Sequence, residues 1–381
     1  MFKKLLCFAL LSLILFSCSS SYEKVVDGVI IHLNKTDGNA RLLKLTVVND
    51  KVIRVSATAA DTFSTAKSLV VDELPVFNDW KLVEKDGKVV IETASLRAFA
   101  DLKTGEVEFK DLDGNTILQE NKGGGKTFIP VEIEGTKGYN IRQVFESPND
   151  EAFYGLGQHQ ADEFNYKGKN EILFQYNTKV SIPVIVSNKN YGIFWDNYSV
   201  TKFGDPRDYA QLSDLKLFDK DGNEGGLTAT YMVNGDANNV FVSRIENTID
   251  YENLTTVKKF PADFPLYNSK MTWDGELQSD DSGVHRFLLY YAGYTKIWID
   301  GQLMAEKWRT AWNPSVAKFG VSMEAGKKYH IKLEWLPDGG VSYIGLKFLS
   351  PVDPSEQNKL SLSSEIGDQI EYYFIKGDSM D

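Results

Sequence analysis

Two tryptophans four residues apart, Trp308 and Trp312, are each followed by a polar residue, Arg309 and Asn313. Such a group can bind a sugar, because pyranose rings offer apolar C–H faces for aromatic stacking and dense hydroxyl groups for polar side chains. The surrounding sequence predicts a long loop between strands, and exposed aromatic residues on loops often mark binding surfaces. The same two indole rings are equally suited to closing the end of a β-sandwich, so both interpretations stay open.

A second reactive group is the thiol of Cys18, which ends an apolar run over residues 5–16 that follows Lys3 and Lys4. The run is shorter than the roughly 20 apolar residues that span a bilayer, and it has the length of a signal-peptide core. Residues 15–18 read LFSC, the pattern of a bacterial lipobox. We therefore predict a lipoprotein signal peptide over 1–17, lipidation of Cys18, and an exported lipoprotein anchored in the periplasm or on the outer-membrane surface.

The sequence gives little indication of a metal site or of nucleic-acid binding. The four histidines are scattered, and no pair has the spacing of metal ligands. Residues 219–224 read DKDGNE, which lacks the spacing and terminal glutamate of a calcium loop and predicts a hairpin turn. The net charge of −11 argues against nucleic-acid binding, which needs clustered basic residues. The sequence predicts neither a metal nor a cofactor.

The elements that must position these residues are predicted to be strands. Residues 25–33, 40–48, 51–57 and 88–98 alternate apolar and polar side chains or are rich in β-branched types. Asp-Gly steps such as Asp86-Gly87 and Asp113-Gly114 separate them, and these steps adopt the positive φ of tight hairpins. Helical periodicity is nearly absent. The predicted fold class is therefore all-β, built from antiparallel sandwiches.

Two boundaries divide the chain, one near Gly225-Gly226 and one at residues 351–354, which read PVDP. Residues 369–374 read QIEYYF and predict a lone strand that must return to the first domain to bury its apolar face. We therefore predict a first sandwich over 18–225 plus 353–381 and an inserted sandwich over 226–352. Alternation places three tryptophans in the core of the insert: Trp273, Trp298 and Trp335.

Several motifs of the first domain resemble one known family. Residues 153–159 read FYGLGQH, and they are followed in order by QYNT at 175–178, IPV at 182–184, YGIFWDN at 191–197 and TKFGDPR at 201–207. As a set, these resemble the N-terminal, galactose-mutarotase-like β-sandwich of glycoside hydrolase family 31, in its α-xylosidase branch. IRV at 53–55 and GEVEF at 105–109 also match. The resemblance covers about 25–225 and 360–381.

The insert resembles the protective-antigen-type lectin domain. Its residues read MTWDG at 271–275, SGVHRF at 282–287, IWIDG at 297–301 and AGKKYHIKLEW at 325–335. Some members of that family bind sugar through calcium held by two adjacent aspartates. Here the corresponding residues 290–294 read YYAGY and contain no acid, so the resemblance does not extend to calcium.

The resemblance also implies candidate binding residues in the first domain, where a loop of the family overhangs the active-site pocket. These candidates are Gln158, Asp162, Phe164, Tyr176 and Asn177. Many glucosidases of the family carry an acid two residues after the asparagine that matches Asn177, and this chain has Lys179 there. The implied ligand is an oligosaccharide or polysaccharide, such as one derived from xyloglucan.

Catalysis by the family requires two aspartates on a barrel that follows the N-terminal sandwich, and retaining hydrolysis needs them about 5–5.5 Å apart. Residue 381 falls about where that barrel is expected to begin, so we expect the chain to lack the catalytic barrel and to be inactive alone. Three interpretations follow: the N-terminal portion of an α-xylosidase-like or α-glucosidase-like enzyme, a free-standing glycan-binding surface lipoprotein, or a purely structural surface protein.

Overall fold

A computed structural model of the chain describes residues 21–33, 39–72, 75–159, 163–177, 179–251, 260–266, 268–337, 343–353, 355–356 and 359–379. These residues form antiparallel β-strands, numbered here in chain order, and two short 3-10 helices at Leu212–Asp214 and Val233–Gly235. They contain no α-helix, which confirms the all-β fold class. Within the described ranges, no helix is long and apolar enough to cross a membrane.

The first sandwich is built from three sheets. Sheet I contains, in spatial order, β1 (Tyr22–Val25), β2 (Gly28–His32), β3 (Leu42–Val47), β4 (Val52–Thr58), β30 (Ile370–Lys376), β15 (Tyr191–Trp195), β14 (Val180–Ser187) and β12 (Phe153–Gln158). Sheet II contains β10 (Lys126–Ile133), β11 (Thr136–Phe145), β29 (Leu360–Gly367), β16 (Thr201–Phe203) and β13 (Glu171–Leu173). Sheet III contains β5 (Lys81–Lys85), β6 (Lys88–Glu92), β7 (Arg97–Asp101), β8 (Val107–Lys110) and β9 (Thr116–Gln119).

The second sandwich is built from two sheets. Sheet IV contains β17 (Ala210–Gln211), β28 (Ile344–Leu349), β23 (Gly283–Tyr291) and β26 (Ser315–Met323), and β21 (Ile249–Tyr251) also pairs with β28. Sheet V contains β20 (Val240–Glu246), β19 (Leu227–Met232), β22 (Lys270–Gln278), β27 (Lys328–Leu336), β24 (Gly293–Ile299) and β25 (Gln302–Arg309), and β18 (Lys216–Asp219) also pairs with β22.

Each sandwich has its own apolar core. The first core gathers inward-facing residues of sheets I, II and III, and the second gathers those of sheets IV and V. Trp273 and Trp335 are fully buried in the second core, as their alternation predicts. The prediction for Trp298 is wrong, because Ile297 and Ile299 face inward on β24 and place the intervening indole on the outer face.

The C-terminal strands return to the first sandwich. β30 lies between β4 and β15 in the middle of sheet I, and β29 lies between β11 and β16 in sheet II. The second sandwich also takes strands from before residue 226: β17 pairs with β28, and β18 pairs with β22. Leu212 and Leu217 belong to its core. The second core therefore begins earlier in the chain than the composition shift at residues 225–226 indicates.

A buried ion pair connects the returning strand to the rest of the first sandwich. Glu120, which follows β9, is fully buried and accepts hydrogen bonds from the Lys126 ammonium, from the Tyr372 hydroxyl at 2.8 Å and from the Val107 backbone N–H at 2.8 Å. Tyr372 lies on β30 and Lys126 on β10, so one carboxylate joins three sheets. A buried charge requires such partners, because desolvation is otherwise costly.

Candidate functional site

The candidate site is centred on the short hairpin that connects β13 of sheet II to β14 of sheet I and is closed by the antiparallel bridge between Tyr176 and Lys179. Tyr176 and Lys179 exchange backbone hydrogen bonds, of 2.9 Å from the Lys179 N–H and 3.3 Å from the Tyr176 N–H, which close a tight turn. Tyr176 and Asn177 lie at this turn and are both exposed, with 51% of Tyr176 accessible to solvent. The structure therefore presents two of the predicted binding residues side by side at one protruding tip.

Gln158 is brought to the same hairpin by the end of β12, where it pairs with Val180. The pairing shifts register between Gly155 and Gly157, which have φ of +107° and +96°. A Cβ atom at Gly157 would lie 2.1 Å from the carbonyl oxygen of Val180. Glycine is therefore required here both for positive φ and for the close approach of the two strands.

The remaining candidates of the first sandwich are less closely tied to the hairpin. Phe164 is 83% exposed, and its ring meets the ring of Tyr154 edge-on at 5.3 Å. Asp162 lies outside the described residues, as does Cys18. The hairpin tip and Gln158 thus form the part of the predicted site that the structure brings together.

Lys179 does not extend toward the tip of the hairpin. Its ammonium donates hydrogen bonds to Oε1 of Glu171 at 2.7 Å and to the carbonyl oxygen of Ile172 at 2.6 Å. Both acceptors lie on β13, so the Lys179 side chain links the start of β14 to β13 across the base of the hairpin. Lys179 therefore positions Tyr176 and Asn177 and is not itself offered to a ligand.

Glu171 is the residue that sequence reasoning missed. Its buried carboxylate lies 2.7 Å from the Lys179 ammonium, 3.2 Å from the Lys318 ammonium and 3.5 Å from Nδ1 of His159. Burial alone would raise the pKa of Glu171, but Lys318 and Lys179 outweigh it and hold the pKa below its ordinary value. The available signal was a glutamate at the inward-facing phase of the short strand EIL, beside Leu173.

The same network docks the second sandwich onto the first. Lys318 on β26 donates to the backbone carbonyl of Asn170 as well as pairing with Glu171. Arg286 on β23 donates to Oδ1 of Asn170 at 3.0 Å and also pairs with the carboxylate of Asp205. Side chains of sheet IV therefore contact the start of β13 and the segment after β16, so the base of the hairpin is held by residues of both domains.

Trp308 and Trp312, the two binding candidates of the second sandwich, are not at this hairpin. Trp308 lies on β25 and not in the predicted loop, while Trp312 lies in the turn that follows that strand. They are 48% and 79% exposed, so neither closes the end of the sandwich. Trp308 lies 5.9 Å from the ring of Tyr294 on β24, measured between ring centroids.

No cluster of three or more metal-ligating side chains occurs among the residues that the structure describes. Residues 290–294, where a calcium-binding relative would carry its acids, form the end of β23 and the start of β24. Within this stretch Tyr291 and Ala292 are buried in the second sandwich. These residues therefore continue the strands of the second sandwich.

Two protein families match the chain. Residues 42–203 match the family described as the glycosyl hydrolase 31 N-terminal galactose mutarotase-like domain. Residues 223–348 match the PA14 domain. Together these matches cover the segments that contain Gln158, Tyr176, Asn177 and Trp308.

Among solved structures, the α-xylosidase of Xanthomonas citri is 36% identical, with a TM-score of 0.85 over 93% of this chain and 38% of that chain. An α-xylosidase of Saccharolobus solfataricus is 33% identical over 172 residues, which is 42% of this chain and 22% of that protein. An uncharacterized family 31 glucosidase of Pseudescherichia vulneris is 22% identical over 191 residues, 45% of this chain and 36% of that protein. The chain therefore spans well under half the length of these proteins.

Proposed function

We propose that this chain, which joins a glycosyl hydrolase 31 N-terminal galactose mutarotase-like domain to a PA14 domain, is the substrate-recognition portion of an α-xylosidase-like glycoside hydrolase. The observation that carries the proposal is the likeness to the Xanthomonas citri α-xylosidase, which extends over both sandwiches at 36% identity. The ligand we propose is an oligosaccharide bearing α-linked xylose, such as one derived from xyloglucan.

The hairpin supplies the chemistry that such a ligand needs. The exposed ring of Tyr176 can stack on a pyranose face, and the amides of Asn177 and Gln158 can both donate to and accept from sugar hydroxyls. Glu171 and Lys179 fix the hairpin before a ligand arrives. A preformed site loses less conformational entropy on binding, which favours affinity.

We propose further that these residues recognise the substrate without hydrolysing it. Residues 42–203 match an N-terminal domain of glycosyl hydrolase 31, and retaining hydrolysis depends on two carboxylates about 5–5.5 Å apart. At the hairpin, the buried carboxylate of Glu171 is paired with two lysines and is not free to attack a sugar. Recognition and hydrolysis are thus assigned to different parts of the enzyme.

The alternative function is a free-standing glycan-binding lipoprotein. It is favoured by the exposed Trp308 and Trp312, which give the second sandwich aromatic surface of its own. Reading the gene beyond codon 381 separates the two functions. A barrel in a nearby frame supports the enzyme portion, and a stop followed by unrelated sequence supports the free-standing binder.

Replacing Tyr176 with alanine should weaken binding of xyloglucan heptasaccharide about tenfold, because an aromatic anchor commonly contributes more than 1 kcal/mol. Isothermal titration of the chain from residue 19 onward measures the change. Leu69→Ala, an exposed apolar residue of the same sandwich, is the control and should leave the affinity unchanged. Equal affinities for the wild type and Tyr176→Ala would show that the hairpin does not bind the heptasaccharide.

The lipid anchor is a separate proposal that rests on the lipobox at residues 15–18 and the apolar run before it. In cells fed radioactive palmitate, the full chain should become labelled and should fractionate with membranes. Cys18→Ser should abolish both the labelling and the membrane association, whereas Cys7→Ser, within the leader, should preserve them. Label retained by Cys18→Ser would contradict the assignment.

A further inference from the structure

The outer face of sheet V carries an apolar row at one corner. In the strand register, Tyr294 on β24 lies between Trp308 on β25 and Leu336 on β27. The three side chains are 59%, 48% and 39% exposed. The rings of Tyr294 and Trp308 are inclined to each other by 44°, and the row borders a groove of about 260 Å³. We call these three residues the aromatic row.

A row of ionised side chains runs beside the aromatic row. Lys296 lies between Glu306 and Glu334 in the same register and pairs with Glu306 at 2.8 Å. Glu334 pairs with Lys270 at 2.8 Å and with Lys332 at 2.9 Å. Burial alone would raise the pKa of Glu334, but hydrogen bonds from these two lysines hold it below its ordinary value. The groove therefore has one apolar wall and one wall of hydrogen-bonding groups.

The dimensions of the row indicate what it can bind. Three neighbouring strands span about 10 Å, because adjacent strands lie about 4.8 Å apart, and this matches a ligand about two pyranose rings long. A stable protein interface buries about 800 Å² on each partner, far more than three residues bounded by ion pairs can provide. Nucleic acid would be repelled by Glu306 and Glu334 in a chain of net charge −11.

We propose that the aromatic row is a saccharide-binding site for a neutral oligosaccharide of equatorially substituted pyranoses. Equatorial substitution leaves apolar C–H groups on both ring faces, so successive rings can stack on Tyr294 and Trp308. Hydroxyl groups at the ring edge then reach the carboxylates of Glu306 and Glu334 and the ammonium of Lys296. This site lies on the second sandwich and is separate from the hairpin of the first, so it does not depend on the function proposed there.

Isothermal titration with xyloglucan heptasaccharide tests the proposal on the chain from residue 19 onward. The wild type should bind two molecules, one at the aromatic row and one at the hairpin. Trp308→Ala and Tyr294→Ala should each weaken heptasaccharide binding at the aromatic row about tenfold. The hairpin is then left as the one measurable site. Leu303→Ala, which changes an exposed apolar residue of β25 outside the row, is the matched control and should retain both sites.

The pattern of lost sites separates this proposal from the function assigned to the hairpin. If Trp308→Ala and Tyr294→Ala keep the wild-type stoichiometry and affinities, the aromatic row does not bind saccharide. If Tyr176→Ala alone keeps both sites, the hairpin proposal fails while the aromatic row stands. A wild type that binds no heptasaccharide at millimolar concentration overturns the proposal for the row, and its circular dichroism spectrum then shows whether the chain was folded.

Discussion

Replacing Glu171 with glutamine should lower the free energy of unfolding of the first sandwich by about 3–5 kcal/mol, the usual cost of removing one partner from a buried ion pair. The change leaves the ammonium groups of Lys179 and Lys318, each 12% exposed, without a charged partner. Lys318→Met removes one cation and leaves the Glu171–Lys179 pair, so it should cost less. Urea denaturation followed by tryptophan fluorescence measures both variants.

The ionisation of Glu171 should also make the free energy of unfolding depend on pH. Lys318 and Lys179 overcome the effect of burial and hold the pKa of Glu171 below its ordinary value of 4.5, so the folded chain binds this proton less tightly than the unfolded chain. The stabilisation is therefore complete above about pH 5 and is lost as the pH falls through the folded pKa. Glu171→Gln should lack this dependence, whereas the exposed control Glu132→Gln should keep it. Equal stability of Glu171→Gln and wild type at pH 7 would show that the network does not stabilise the fold.

Replacing Glu120 with glutamine is expected to have an effect of similar size. The Lys126 ammonium is nearly inaccessible to solvent, and without the carboxylate its charge is left in an apolar interior. We expect a loss of about 3–5 kcal/mol in the free energy of unfolding, again measured by urea denaturation. Tyr372 also loses its charged acceptor, so the returning strand β30 should exchange its amide hydrogens faster.

A double variant shows whether Glu120→Gln is destabilising because Lys126 loses its opposite charge or because the side chains pack differently. Glu120→Leu combined with Lys126→Met removes both charges and keeps apolar side chains of similar length, so it should recover most of the stability that Glu120→Gln loses. Glu92→Gln, at the more exposed ion pair with Arg97 in sheet III, serves as the control and should change stability by less than about 1 kcal/mol. A double variant as unstable as Glu120→Gln would show that the unpaired charge of Lys126 is not the cause of the lost stability.

Most of the fold follows from local patterns in the sequence. The Asp113-Gly114 step predicts the hairpin of β8 and β9, which the structure contains, because Gly114 supplies the positive φ of the turn, +93°. Residues 88–98, predicted as one strand, form two, since Thr93 turns the chain by accepting the Leu96 N–H at 3.1 Å. A short polar turn of this kind hardly interrupts the alternation of apolar residues. The alternation alone therefore does not reveal where such a turn divides one strand from the next.

The candidate site was predictable only in part. Tyr176, Asn177 and Gln158 come from motifs that resemble a known family, and the structure places them at one hairpin. The role of Lys179 depends on Glu171 eight residues earlier and on Lys318, which arrives from the other sandwich. Contacts between residues so far apart in the chain depend on how the domains dock, and no local spacing in the sequence encodes that arrangement.

We propose that these two nested sandwiches bind carbohydrate without cleaving it. The most direct test incubates the chain from residue 19 onward with xyloglucan heptasaccharide, measures binding by isothermal titration and analyses the recovered sugar by mass spectrometry. We expect saturable binding and an unchanged heptasaccharide. Release of free xylose in proportion to the amount of chain would contradict it, and so would the absence of any binding by correctly folded protein.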